Sequence, residues 1–250
     1  MIGAPVLAFL AAAIAAQFQL GPLAPRADTG FQAETQRAVS SAAEARESGT
    51  FSLDQIPEYA QAPSVTVHEN IPYFADGDKS TDSYESYSEL DALGRCGAAA
   101  ACLGPDTMPT QPRGSIGMVK PSGWHTVKYD GIDGNYLYNR CHLIAYELSG
   151  ENANPENLIT GTRYLNVEGM LPYENETADF IRGTGFHVLY RVTPVYSGDD
   201  LVARGVLMEA ESVEDGSTGL RFCVFCYNVQ PGVTINYSDG SSDGPTFTGG

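Results

Sequence analysis

Positive charge is scarce in this chain. Its 250 residues carry 14 Lys and Arg against 31 Asp and Glu, a formal net charge of −17 at pH 7. That balance excludes a long basic stripe of the kind that tracks a phosphate backbone, because phosphate contacts need Lys and Arg. The deficit is uneven, however. Residues 101–191 hold 7 basic and 10 acidic side chains, so most of the acidity lies outside that segment. A bound divalent cation would offset the remainder locally and leaves a phosphate substrate open. Histidine is also sparse, with four in the chain and none in the polar run ENLITGTRYLNVEGMLPYENETADF, Glu156 to Phe180. That run supplies amides and carboxylates instead. No internal repeat is present.

Charge is absent altogether from residues 1–25, where Ala4 to Ala16 is an unbroken apolar run ending in small residues. The pattern predicts a secretory signal peptide or an N-terminal membrane anchor, and hence a protein secreted or held at the outer cell surface. Residues 26–63 are polar and Ala/Glu/Ser-rich and read as a linker. The stretch from 239 to 250 is low-complexity and reads as a disordered tail. Residues 64–238 remain for one folded unit of ordinary domain size.

Five cysteines, an odd number, leave at least one unpaired within the chain. Cys96 and Cys102 bracket a small loop, GAAAACL, that a disulfide would close in an oxidising compartment. Cys223 and Cys226 have C-x-x-C spacing but sit in a strand pattern, where side chains three apart face opposite ways. They read as two half-buried strand cysteines and not as a zinc or redox pair.

Within the folded unit, residues 64–74 are strand-like, and the segment from Ala75 to Arg95 reads as a loop followed by a short helix. Residues 114–119 and 125–129 are short strand candidates around a KPSG turn, and residues 136–144 form another extended piece. Pro172 suits the first turn of a helix over about 171–181, closed by Gly183 and Gly185. Two alternating runs joined at residues 197–200, and a third after Gly216, predict an antiparallel meander. The fold class expected is α+β, with a central antiparallel sheet and an insertion of strand, loop and helix that carries the polar residues.

The chemistry concentrates at YNRCHLIAYEL, Tyr138 to Leu148. Arg140 and His142, two apart in an extended segment, share a face. A guanidinium there disfavours the charged imidazole and leaves donors for an anion, which suits phosphodiester hydrolysis with His142 as the base. Such attack also needs a hard cation held by oxygen donors, and Asn157, Asn166 and Glu174 lie downstream. Each has an ordinary structural alternative, as a turn cap or a helix-terminus charge. Trp124 is placed to line a substrate groove or simply to pack. Arg163 offers either a phosphate contact or a salt bridge to Glu156 or Glu168. Cys141 adjoins His142 but faces the other way, which argues against a cysteine hydrolase.

The stretch NRCHLIAYELSGENANPENLITGTRYLNVEGMLPYENETADF resembles the DNA/RNA non-specific endonuclease family, the ββα-metal nucleases, and is most similar to the streptodornase-like secreted DNases. The resemblance runs from about Ile71 to Tyr237. It implies a metal-dependent, sequence-tolerant endonuclease acting on DNA, with RNA as a second substrate, and yielding 5′-phosphate products. It implies His142 as general base, with Asn166 as the one direct protein ligand of Mg²⁺ (Mn²⁺ being the alternative ion). Glu174 and Asn157 would orient the waters of that ion, and Arg140 would lie near the scissile phosphate. A monomer is expected. Two positions depart from the family's D-R-G-H motif: Asn139 stands for the Asp and Cys141 for the Gly. The competing expectation is a surface or interaction protein that keeps the fold without the activity.

Overall fold

In this computed structural model residues 51–248 are described. The expected signal or anchor segment, and the linker up to residue 50, lie outside them. No helix among the described residues is long and apolar enough to cross a membrane.

The chain begins on one edge of a sheet with β1 (Ser64–Thr66), then runs through β2 (Tyr84–Tyr87) and β3 (Ala99–Leu103). A second, two-stranded unit follows, β4 (Tyr138–His142) and β5 (Leu158–Thr162), with the one-turn helix α1 (Tyr146–Ser149) between them. A π-helix (Leu165–Met170) leads into α2 (Leu171–Thr184). The meander β6 (Val188–Val195), β7 (Gly205–Ser212) and β8 (Arg221–Tyr227) completes the large sheet, in the order β1-β8-β7-β6-β3-β2, antiparallel throughout. A small ribbon, β9 (Thr234–Ile235) with β10 (Ser242–Asp243), ends the fold.

Alternation along β8 explains the layering. Phe222, Val224 and Cys226 join the core beneath α2, the π-helix and β5, while Cys223, Phe225 and Tyr227 enter a second core on the opposite face. Phe51, Leu53, Ile56 and Tyr59 cover that second face, so residues 51–63, expected as linker, are part of the folded unit. The two cysteines do face opposite ways, and both are fully buried rather than half-buried.

Several local expectations are corrected. The segment around Ala99 is a central strand, not a disulfide-closed loop. All five thiols are free and buried, with Cys96 against the carbonyls of Pro155 and Leu158, and Cys102 against that of Ser80. Alanine favours helix intrinsically, but a small side chain between β2 and β6 lets the sheet continue, and packing overrides propensity. The short helix expected before it is instead the edge strand β2. Residues 114–119 form no strand, and residues 125–129 contribute two isolated bridges, Lys128 to Tyr136 and Tyr129 to Thr246.

The expected disordered tail is ordered as far as residue 248. Its partners are tyrosines: the Tyr138 hydroxyl donates to the Gly240 carbonyl at 2.9 Å, and Tyr129 shares a 2.9 Å bond with the Ser242 hydroxyl. Gly240 sits at φ +83°, and a Cβ there would lie 1.9 Å from the Gly123 carbonyl oxygen, so this close approach requires glycine.

Candidate active site

Strand β4, α1, the π-helix and the start of α2 wall a cleft of about 760 Å³. The β4–β5 register sets His142 opposite Leu158 and Arg140 opposite Thr160. Across the cleft, the helical segment carries Asn166 and Glu174. In a regular α-helix eight residues turn roughly 800°, about 80° past two full turns, which would splay the two side chains. Here the turn is wider. The Leu171 amide reaches back five residues to the Asn166 carbonyl, and Pro172, having no N–H, cannot serve the carbonyl four residues before it. A wider turn advances each residue by less and removes part of that offset, so both side chains line the cleft.

His142 is 7% exposed. Its Nε2 lies 2.8 Å from the Asn152 carbonyl oxygen, an acceptor, so Nε2 carries the proton. Nδ1 therefore presents its lone pair, 3.2 Å from a guanidinium nitrogen of Arg113. Burial lowers the imidazole pKa to about 4, opposed by the Asn152 bond and assisted by Arg113. The ring is thus a neutral base with a defined tautomer. The expectation about its cation is corrected: Arg113, not Arg140, contacts the imidazole.

Arg140 does line the cleft, but its guanidinium is committed. Nε donates to the Val119 carbonyl, Nη2 to that of Gly117 at 2.9 Å, and the group stacks 4.0 Å from the Trp124 ring centroid. It holds the loop that follows Arg113. This grip on two carbonyls also explains why residues 114–119 do not pair as a strand. Trp124 both lines the cleft and packs on a small core with Leu137 and Tyr138. Arg163 lines the cleft and pairs with Asp133 at 2.6 Å, a partner other than Glu156 or Glu168.

Asn166 and Glu174 behave differently from these. Neither side chain has a hydrogen bond or salt bridge among the described residues. Burial raises the Glu174 pKa to about 8, with Glu147 adding to the rise and Arg113 opposing it. An amide and a carboxyl, both without a partner among the described residues and both oxygen donors in one cleft, fit a hard divalent cation held by few protein ligands. Among the described residues no three His, Cys, Asp or Glu side chains form a metal-binding group.

Asn157 is the expectation that fails. It is fully buried outside the cleft lining, and its amide is spent on Ile144: Oδ1 accepts from the Ile144 amide at 2.8 Å and Nδ2 donates to its carbonyl at 3.0 Å. It locks the turn between β4 and β5, and its burial away from the cleft keeps it from the waters of a cation held there. Asn139, at the motif's Asp position, lines the cleft, and its buried Nδ2 has no partner in the protein. Cys141 is buried against the core with its thiol pKa pushed far up, so it is no nucleophile. Sequence reasoning missed Arg113, whose one signal was a lone cation between Pro112 and Gly114, and Glu147, which lines the cleft from α1 while paired to Arg182 at 3.3 Å.

The fold is similar to those of known proteins. NucA from Streptococcus agalactiae superposes with TM-scores of 0.67 (no metal bound) and 0.66 (magnesium ion bound), at 25% and 26% identity. The match covers 84% of this chain and 96% or 95% of NucA. The Sda1 nuclease with bound zinc ion gives a TM-score of 0.56 at 25% identity, over 76% of this chain and 98% of Sda1. A deoxyribonuclease from Streptococcus dysgalactiae subsp. equisimilis is 35% identical over 111 residues, 42% of this chain. That match spans 33% of the curated relative's length. The sequence model of one family matches residues 76–214, which include His142, Arg113, Asn166 and Glu174. With the β4–β5 pair and the helix behind it in the order that motif requires, this chain belongs to the DNA/RNA non-specific endonuclease family.

Proposed function

We propose that the protein is a divalent-cation-dependent endonuclease that hydrolyses phosphodiester bonds of DNA, and of RNA by the same chemistry, without sequence preference. The observation that carries this reading is the neutral, tautomer-fixed His142, whose free lone pair faces Arg113 in the cleft that also holds the unpartnered Asn166 and Glu174.

Arg113 has no salt bridge among the described residues and meets only a neutral acceptor at Nδ1. A phosphate oxygen is the stronger partner, since charge-assisted bonds are roughly twice as strong as neutral ones. Substrate thus draws Arg113 off the imidazole, which frees Nδ1 for a water proton and places an anion nearby that raises the basicity of the ring. The water oxygen bonds to phosphorus as its proton passes to Nδ1, and the 3′ oxygen departs in line, leaving a 5′-phosphate. The Asn152 carbonyl then stabilises the imidazolium through Nε2–H. Asn166 and Glu174 would hold Mg²⁺, or Mn²⁺, which supplies positive charge at the phosphate and the departing oxygen. Arg140 keeps the Arg113 loop in place, and Asn139 offers an amide donor beside it. Export through residues 1–25 belongs to the same reading, supported by their uncharged apolar sequence.

The test is nicking of supercoiled plasmid by the purified protein in Mg²⁺ and in EDTA, with analysis of the new ends. Cation-dependent nicking with 5′-phosphate ends is expected. Failure to nick in Mg²⁺ or Mn²⁺ would favour a protein that keeps the fold without the activity.

A further inference from the structure

At one end of the cleft stands a feature that the hydrolytic chemistry does not use. Tyr136 is 46% exposed, and among the described residues it is the one exposed large hydrophobic side chain that also lines the cleft. The Lys128 ammonium lies 4.7 Å from its ring centroid and 5.1 Å from that of Phe247. Lys128 is exposed and makes no salt bridge among the described residues, a free cation on a chain of strongly negative charge.

The backbone fixes this group. Lys128 and Tyr136 are bridge partners, and the Leu137 amide donates to the Val127 carbonyl at 3.1 Å. The bridge from Tyr129 to Thr246 brings Phe247 alongside. Underneath, Tyr129, Ile132, Leu137 and Tyr138 form a buried core, so the outer face is presented by a packed ribbon. Three chain segments therefore converge to set one exposed ring, Tyr136, and one half-buried ring, Phe247, around one cation.

We propose that Tyr136, Lys128 and Phe247 form a binding subsite for an unpaired nucleotide of the substrate strand, a role that rests on the nuclease reading of the cleft. Exposed rings beside a cation are the combination that binds single strands: the base stacks on a ring and the ammonium meets the phosphate. A paired base inside a duplex has both faces covered by its neighbours and offers only its edges in the grooves. The subsite therefore selects unpaired or unstacked strand. Tyr136 and His142 are six residues apart, at most about 20 Å at ~3.3 Å per residue, with a bend at Leu137 between them. An unstacked strand spans up to about twice the ~3.4 Å rise of a stacked one per nucleotide, so the subsite lies within about six nucleotides of the bond cleaved. A small phosphodiester does not reach it.

Binding and cleavage are measured separately, so that the two readings fail separately. Fluorescence anisotropy in Ca²⁺ gives the affinity of the full chain for oligothymidylate of about 15 nucleotides and for a duplex of the same length. Tyr136→Ala is expected to weaken single-strand binding by about tenfold and duplex binding by less than about twofold, and Tyr136→Trp to restore the former. Phe247→Ala and Lys128→Gln should each give a smaller loss with the same preference. Cleavage of bis(p-nitrophenyl) phosphate should be unchanged in all four variants. Equal weakening on single strand and duplex, no weakening by Tyr136→Ala, or loss of small-diester cleavage would overturn the subsite. Absence of cation-dependent plasmid nicking by the wild type would overturn the nuclease reading, and the anisotropy series would still decide whether these residues bind unpaired strand.

Discussion

Replacing Glu174 by Gln should make the metal-free protein more stable. The carboxyl titrates near 4.5 in a solvated chain and at about 8 in the folded cleft. Between those values the folded state holds a proton that the unfolded chain has released, so stability falls as pH rises through this window. At ~1.4 kcal/mol per unit the whole window amounts to about 5 kcal/mol, which solvent in the open cleft reduces to about 2–3 kcal/mol. Glu174 also lies in the first turn of α2, where a negative charge gains at most about 1 kcal/mol from the helix terminus, so burial wins. Denaturant titration in EDTA should find Glu174→Gln more stable than wild type by about 2 kcal/mol at pH 8, and nearly equal at pH 4.5. The thermal midpoint at pH 8 should rise by about 4–8 °C. Saturating Mn²⁺ should stabilise the wild type more than the variant, because both keep Asn166 but only the wild type adds a negative charge beside the cation. A variant equal to or less stable than wild type at pH 8 in EDTA would refute the reasoning, as would a difference that does not change with pH.

Asn166→Ala should raise the cation concentration needed for half-maximal cleavage by at least about tenfold, with Asn166→Asp retaining part of the response. Asn157→Ala should instead cost about 3 kcal/mol in denaturant unfolding, because the amide and carbonyl of Ile144 lose their partners, and should leave the cation dependence unchanged. For duplex binding in Ca²⁺, Arg113→Ala should lower the slope of log affinity against log salt by about one unit, whereas Arg140→Ala should leave the slope and weaken the loop. The wild-type slope should correspond to about two to four phosphate contacts, since the cations left to meet phosphate around the cleft are few, Arg113 and Arg163 in its lining and Lys128 beside Tyr136. Eight or more would place much of the binding surface elsewhere.

What the sequence disclosed follows from the range of the interactions involved. The meander, the β4 segment and α2 are specified by local alternation, turn residues and Pro172, and all three lie close to where those signals put them. Strand β3 was invisible because its alanines carry no strand signal, and only two flanking strands make it one. The tail's order depends on hydroxyls of Tyr129 and Tyr138, more than a hundred residues away. At the site, spacing brought Arg140 and His142 to one face but could not show that Arg140 is consumed by two loop carbonyls. Nor could it show that Arg113, 29 positions before His142, would take the expected place. Asn157 and Asn166 look alike as amides beside a leucine, and burial separates the turn clamp from the open amide.

The central claim is that His142 is the base of a cation-dependent phosphodiester cleavage. Single-turnover cleavage of DNA by His142→Ala in saturating Mg²⁺, beside the wild type and with folding verified by thermal melting, addresses it most directly. The account predicts a rate lower by about 10²–10⁴-fold, with the cation requirement and duplex affinity retained. A His142→Ala rate within about tenfold of wild type would contradict it.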